Sequence, residues 1–243
     1  MTSTKYEKNI YMAMLAEQCN RFEEMVEFLE TMVSKRDNDL NSDERNLLSI
    51  AYKNSVTSKR TALRTVMAYE MKEKKKENST FLPYITEYKK KIEDELTKTC
   101  QMILSSIDNH LLKKATDTEA KVFYNKMKGD YNRYIAEYAQ SDLKQKVSEN
   151  ASQAYKSASD LSKELSPTHP IGLGLALNYS VFFYEVLEDH KKACQIAKET
   201  LDAVAPLLEN AEDNEDLADS VSIVNLLKEN LEMWSIENED NDS

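Results

Sequence analysis

NSDERNLLSIAYKNSVTSKRTALRTVMAYEMKEKKKE, from Asn41 to Glu77, decides the fold class: 37 residues pass without a glycine or a proline. Asn41 can cap a helix and Glu44 stands three residues on, so the stretch predicts one helix of about 35 residues. The rest of the chain is built the same way. Only three glycines and four prolines occur in 243 residues. So few breakers cannot supply the turns of a sandwich, a barrel or a βαβ series, which makes the chain all-α.

Outward from that helix, the helical period predicts eight more. A first covers Lys5–Cys19 and a second Arg21–Lys35. A fourth opens at Pro83, a favoured first-turn residue, and runs to Leu112. The fifth starts at TDTE, read as a capping box of Thr116 and Glu119, and reaches Gln140. Leu143–Leu165, Pro170–Leu187, Lys191–Leu208 and Glu215–Ile236 complete the set. Short connections predict an antiparallel array. No repeat of roughly 34 or 40 residues emerges, which disfavours a tetratricopeptide solenoid. With no dividing linker, residues 1–236 are expected to form a single domain, and the acidic tail, 237–243, to be disordered.

Asp and Glu total 43 against 32 Lys and Arg, a net charge of −11, which opposes general binding to nucleic acid or anionic membrane. No run approaches the roughly 18 apolar residues of a membrane span. MTSTKYEKNIYMAMLAEQ lacks the apolar core of a signal peptide. Cys19, Cys100 and Cys194 are odd in number and far apart, as free thiols in a reducing compartment would be, so the expected location is cytoplasmic, with the nucleus open to it. The three Asn-X-Ser/Thr matches, at Asn78, Asn150 and Asn178, are then chance.

The inventory for catalysis is poor, and no enzyme, metal or cofactor is expected. His110, His169 and His190 lack metal-ligand spacing and read as surface or capping residues. GLGLAL at Gly172–Leu177 has leucine where a dinucleotide loop needs its third glycine, and it follows a proline rather than a strand. The basic stripe inside the opening stretch is different. Between Glu44 and Glu70, 25 positions pass without an acid, while Lys53, Lys59, Arg60 and Arg64 fall among them. Lys53, Arg60 and Arg64 lie within about 40° of one another on a helix. Lys59 lies about 100° from Arg60 and reads as an ordinary surface lysine. Solvated helix faces usually intersperse Glu with Lys at i,i+4; a stripe that omits it fits an external anion.

A second stripe, in NKMKGDYNRYIAEYA, carries Lys126, Arg133 and Glu137, with Tyr134 beside Arg133. A neutral hydroxyl next to a planar charged fork suits the several acceptors of a phosphate. Gly129, in mid-helix, hints at close packing or a bend. Asn178, Val181 and Glu185 form a third stripe. The last helix has two: Leu217, Val224, Leu227, Leu231 and Trp234 read as core, while Ile223, Leu226, Asn230 and Met233 could wall a groove or meet a neighbouring helix.

At these residues the chain resembles the 14-3-3 family. ERNLLSIAYKN at Glu44–Asn54 is similar to the family's first signature. KVFYNKMKGDYNRYIAE at Lys121–Glu137 and PTHPIGLGLALNYSVFFYE at Pro167–Glu185 match nearly residue for residue, and LLKENLEMW at Leu226–Trp234 is similar to the end of the second signature. The resemblance runs from LAEQCNRFEEM to Trp234. It implies a nine-helix dimer that binds phosphoserine or phosphothreonine segments of client proteins in a concave amphipathic groove. Lys53, Arg60, Arg133 and Tyr134 would bind the phosphate. Asn178 and Asn230 would hold the ligand backbone, with Glu185 and Trp234 hydrogen-bonding nearby and Lys126 and Arg64 lining the region. Leu177, Val181, Ile223 and Leu226 would form the apolar wall.

The same resemblance implies dimerisation, as a homodimer or with a paralogue, through Leu15, Cys19, Arg21 and Glu24 on one side and Tyr88, Lys91 and Glu95 on the other. Arg21 would face Glu95, and Glu24 would face Lys91. The sequence departs from the family at several points. Ala62 stands where several members carry a regulatory serine, Leu63 replaces a usual tryptophan, Ser222 replaces a wall leucine, and KEKKKENSTFLPYI is atypical. The competing reading is a helical-repeat scaffold or chaperone-like protein for acidic, unphosphorylated segments, which would not need Tyr134 beside Arg133.

Overall fold

The computed structural model describes residues 6–76, 79–208 and 217–241, the last five by backbone alone. Among these residues there are nine α-helices and no strand. They are α1 Glu7–Gln18, α2 Phe22–Lys35, α3 Ser42–Lys74, α4 Leu82–Ser106, α5 Thr118–Ala136, α6 Ser141–Ser162, α7 Pro170–Glu185, α8 His190–Val204 and α9 Ala218–Asn241. Helix α4 continues through a π turn, Ile107–Leu111, and one last α turn, Leu112–Lys114. The expected starts at Lys5 and Glu215 lie outside the described residues, as do Asn78 and the end of the tail, Asp242–Ser243.

Side-chain capping explains the starts of four helices, α3, α5, α7 and α8. The Glu44 N–H donates to Asn41 Oδ1 and the Asn41 N–H to Glu44 Oε2, both at 2.9 Å, the reciprocal pair expected for α3. At α5 the cap is Asp117 rather than Thr116: its Oδ1 accepts from the Ala120 N–H at 2.6 Å. The register moves by one because the carboxylate, a strong N-cap, competes with the neighbouring hydroxyl. His169 caps α7, its Nδ1 accepting from the Ile171 N–H. Helix α9 runs on past Ile236 to Asn241, into residues expected to be disordered. Each further residue adds a hydrogen bond at small cost once a helix exists, and Glu is a good helix former.

Contacts group the chain into two compact units, Met1–Ala115 and Thr116–Ser243. Their junction carries no long linker, so the sequence shows no division there. In the first unit, Met25, Leu29 and Met32 of α2, Leu48 and Tyr52 of α3, and Leu96 and Ile103 of α4 are all fully buried. Each such side chain contributes roughly 1.5–3 kcal/mol. Glu30 ties the helices together, accepting from the Tyr52 hydroxyl and the Ser106 hydroxyl, each at 2.7 Å. Leu63, where a tryptophan is usual in the resembled family, is buried here.

The second unit has two apolar clusters. Ala193, Ala197, Leu227 and Trp234 form one, and Leu173, Val204 and Val224 the other. An aromatic group, Tyr155, Tyr179 and Phe182, fills the space beside α5 and α6.

Glu70 gives the first unit an acid-sensitive clasp. It is buried on α3, and its carboxylate accepts from Lys89 of α4 at 3.1 Å with Lys74 at 3.3 Å. The Lys89 hydrogen bond holds its pKa below the usual carboxylate range against the opposing effect of desolvation. A depressed carboxylate stabilises the fold above its unfolded pKa, and that stabilisation is lost as pH falls through the folded value. Glu70→Gln is expected to lower stability at pH 7 by about 1–3 kcal/mol. Urea unfolding of both chains between pH 7 and pH 3 should show the difference shrinking; a constant gap would contradict this account.

Candidate anion-binding site

In the first unit the cations divide by where α3 points them. Lys53 and Arg64 are exposed and Arg60 is half-buried. Lys53 has no ion-pair partner among the described residues. Lys59 is not the ordinary surface lysine expected: its side chain is only 15% exposed and it crosses to α2, donating to Glu23 Oε1 at 2.7 Å and to Ser55 Oγ at 3.1 Å. Glu23 is held below the usual carboxylate range by that hydrogen bond. The partners are 36 positions apart, which no helical spacing reveals.

The second unit assembles its own set. Arg133 on α5 is 5% exposed, and its guanidinium lies 4.7 Å over the ring of Tyr134. Tyr134 is half-buried and meets Tyr131 edge-on at 5.5 Å. Two residues outside the sequence-derived set complete the cluster. Asp130 accepts from Lys126 Nζ at 2.8 Å and from Asn178 Nδ2 at 2.8 Å. Tyr155, on α6, bridges Asp130 and Arg133. Burial alone would raise the Asp130 pKa; Lys126 and Arg133 outweigh it and hold the carboxyl below its ordinary range. Lys126 and Asp130 stand at i,i+4, the one signal the sequence offers, and on most helices that spacing marks a solvated pair.

Three of the four residues expected to form the apolar wall pack on the two clusters of the second unit. Leu177 and Val181 of α7 pack on the cluster that holds Trp234. Ile223 packs on the other cluster, while Leu226 and Met233 remain about half exposed, at 48% and 49%. Glu185 is exposed and Asn230 half-buried. Trp234 is 2% exposed and stacks on Tyr184 at 4.7 Å, so its ring acts from within the core. Ser222 is exposed, its hydroxyl donating to the Ala218 carbonyl.

The remaining sequence-derived set lies in the first unit. Leu15 and Cys19 of α1 and its C-terminus are exposed, as are Tyr88, Lys91 and Glu95, which share one face of α4 at i, i+3 and i+7. Tyr11, Met14 and Tyr84 add exposed apolar area on the same two helices. Arg21 pairs with Glu24 of its own chain, three residues on.

Among the described residues no group of three or more His, Cys, Asp or Glu could hold a metal, and no helix is long and apolar enough to cross a membrane. Fixed cationic donors beside a tyrosine hydroxyl can bind an anion of several acceptors.

A family model described as 14-3-3 protein matches residues 12–235. The chain is 47% identical over 235 residues to 14-3-3-like protein GF14-F of Oryza sativa subsp. japonica, covering 96% of this chain and 90% of the relative. It is 44% identical over 242 residues to 14-3-3 protein 4 of Solanum lycopersicum, at 99% and 93% coverage. With the 14-3-3 protein homolog of Trichoderma harzianum it shares 46% over 231 residues, at 95% and 87%.

Proposed function

We propose, from the premise that this chain belongs to the 14-3-3 family, that it is a dimeric adaptor binding phosphoserine or phosphothreonine segments of client proteins and thereby controlling their activity, location or assembly. The observation that carries the reading is the cationic face of α3, where Lys53 is exposed and without an ion-pair partner among the described residues. Lys53, Arg60, Arg133 and Tyr134 bind the phosphate. Lys126, Arg64, Asn178, Asn230 and Glu185 engage the ligand around it, backed by Trp234, and Leu177, Val181, Ile223 and Leu226 take its apolar side chains. The exposed apolar faces of α1 and α4 support dimerisation through Leu15, Cys19, Arg21, Glu24, Tyr88, Lys91 and Glu95.

The test is the affinity for one peptide with and without its phosphate. Each charge-assisted bond to the phosphate contributes about 1.5–3 kcal/mol, so two or more predict a preference above roughly a hundredfold. Equal affinities would overturn the reading and favour a scaffold for acidic, unphosphorylated segments. The ligand's second ionisation lies near pH 6, so affinity should weaken as pH falls through that value and the phosphate keeps only one charge. A flat profile from pH 7.5 to 5 would mean that the bound anion is a carboxylate.

A further inference from the structure

We infer that Tyr155, backed by Asp130, is a positioning residue that fixes the guanidinium of Arg133 for the incoming phosphate; this rests on the phosphopeptide reading above. A guanidinium carries five N–H donors in a planar fork, and its value depends on which of them face the ligand. Here two of its contacts are fixed. The guanidinium carbon lies 4.7 Å from the centre of the Tyr134 ring, and Nε–H donates to the Tyr155 hydroxyl at 3.1 Å. That hydroxyl in turn donates to Asp130 Oδ1 at 2.6 Å. The carboxylate can only accept, so the hydroxyl must spend its proton on Asp130 and offer a lone pair to Arg133. The direction of the relay is thereby set. Burial raises the Tyr155 phenol well above its ordinary value, so that proton stays in place.

The terminal nitrogens of Arg133 are left for other work. They lie 3.6 Å from Asp130 and 3.6 Å from Glu137, near enough for attraction and beyond a good hydrogen bond. Asp130 extends the same control to its neighbours, since it also accepts from Lys126 and Asn178. One buried carboxylate thus holds three residues assigned to the ligand. Tyr155 is fully buried, and Asp130 nearly so, which makes both supports rather than contacts. Tyr155 reaches this position because Gly129 has no side chain: a Cβ there would stand 2.5 Å from the tyrosine ring.

Tyr155→Phe keeps the ring and deletes the relay. Full-length wild type, Tyr155→Phe, Arg133→Lys and the double variant are titrated with a phosphoserine peptide and its unphosphorylated counterpart, and Arg133 Nε–H exchange is followed by NMR. Tyr155→Phe is expected to lose about tenfold in phosphopeptide affinity, with faster Nε–H exchange. In the Arg133→Lys background, which has no Nε–H to hold, it should cost almost nothing more. Additive losses, or an unchanged affinity with a still-protected Nε–H, would overturn the assignment. If wild type prefers the phosphopeptide and Tyr155→Phe matches it, the positioning role alone falls. If wild type shows no preference, the phosphopeptide reading falls and takes this inference with it.

Discussion

A Lys53→Glu chain is expected to lose at least about a hundredfold in phosphopeptide affinity while unfolding at the wild-type temperature. The two halves of that result have separate causes. Lys53 is exposed and has no ion-pair partner among the described residues, so reversing it breaks no native ion pair. The ligand loses one charge-assisted bond of about 1.5–3 kcal/mol and meets a like charge in its place. Near a protein surface, two unit charges 4 Å apart interact by about 4 kcal/mol, so the repulsion matches or exceeds the lost bond. Lys59→Glu should show the opposite pattern. It places two carboxylates together where Lys59 now meets Glu23, and the damage falls on the contact of α2 with α3. Isothermal titration and thermal unfolding of both variants check the contrast; a Lys53→Glu chain that binds normally would remove Lys53 from the site.

Gly129→Ala is expected to destabilise the second unit by about 1–3 kcal/mol although alanine is the better helix former. The added Cβ would lie 2.5, 2.6 and 2.8 Å from three ring carbons of Tyr155, closer than such atoms approach. That ring cannot yield freely. It is stacked on Tyr179 at 5.2 Å and tilted against Phe182 at 5.4 Å, and its hydroxyl is held by Asp130. Overpacking therefore outweighs the roughly 1 kcal/mol gained in propensity. Gly172 supplies the control, because a Cβ there meets nothing within 4 Å. Gly172→Ala should stabilise by up to about 1 kcal/mol. Urea denaturation decides both signs, and a stabilised Gly129→Ala would show that the Tyr155 ring has room to move.

What could be read beforehand follows from the range of the forces involved. Helix existence is a local property, so the scarcity of glycine and proline and the Asn41–Glu44 start gave α1 to α9 their places. Ends are decided by small differences between neighbours. Asp117 displaced Thr116 as the α5 cap, and α9 propagated beyond Ile236 to Asn241. The cationic stripe of α3 was legible because it is an omission of acids along one segment. Asp130 and Tyr155 were not. Their roles come from burial where α5, α6 and α7 pack together, which turns an ordinary i,i+4 pair into the centre of a polar network. Lys59 departs from its surface reading for the same reason: its partner, Glu23, is on another helix.

The indole of Trp234 is the only tryptophan in the chain, and it lies buried against Tyr184, whose other face stacks on His190 at 4.2 Å. Intrinsic fluorescence excited at the red edge therefore arises from one address, where α7, α8 and α9 meet. Its emission should be blue-shifted in the native protein and move to the red when that cluster opens. Melting of the helices α1 to α4 adds no indole signal of its own. A single native chromophore thus distinguishes loss of structure in one unit from loss in the other, without a label.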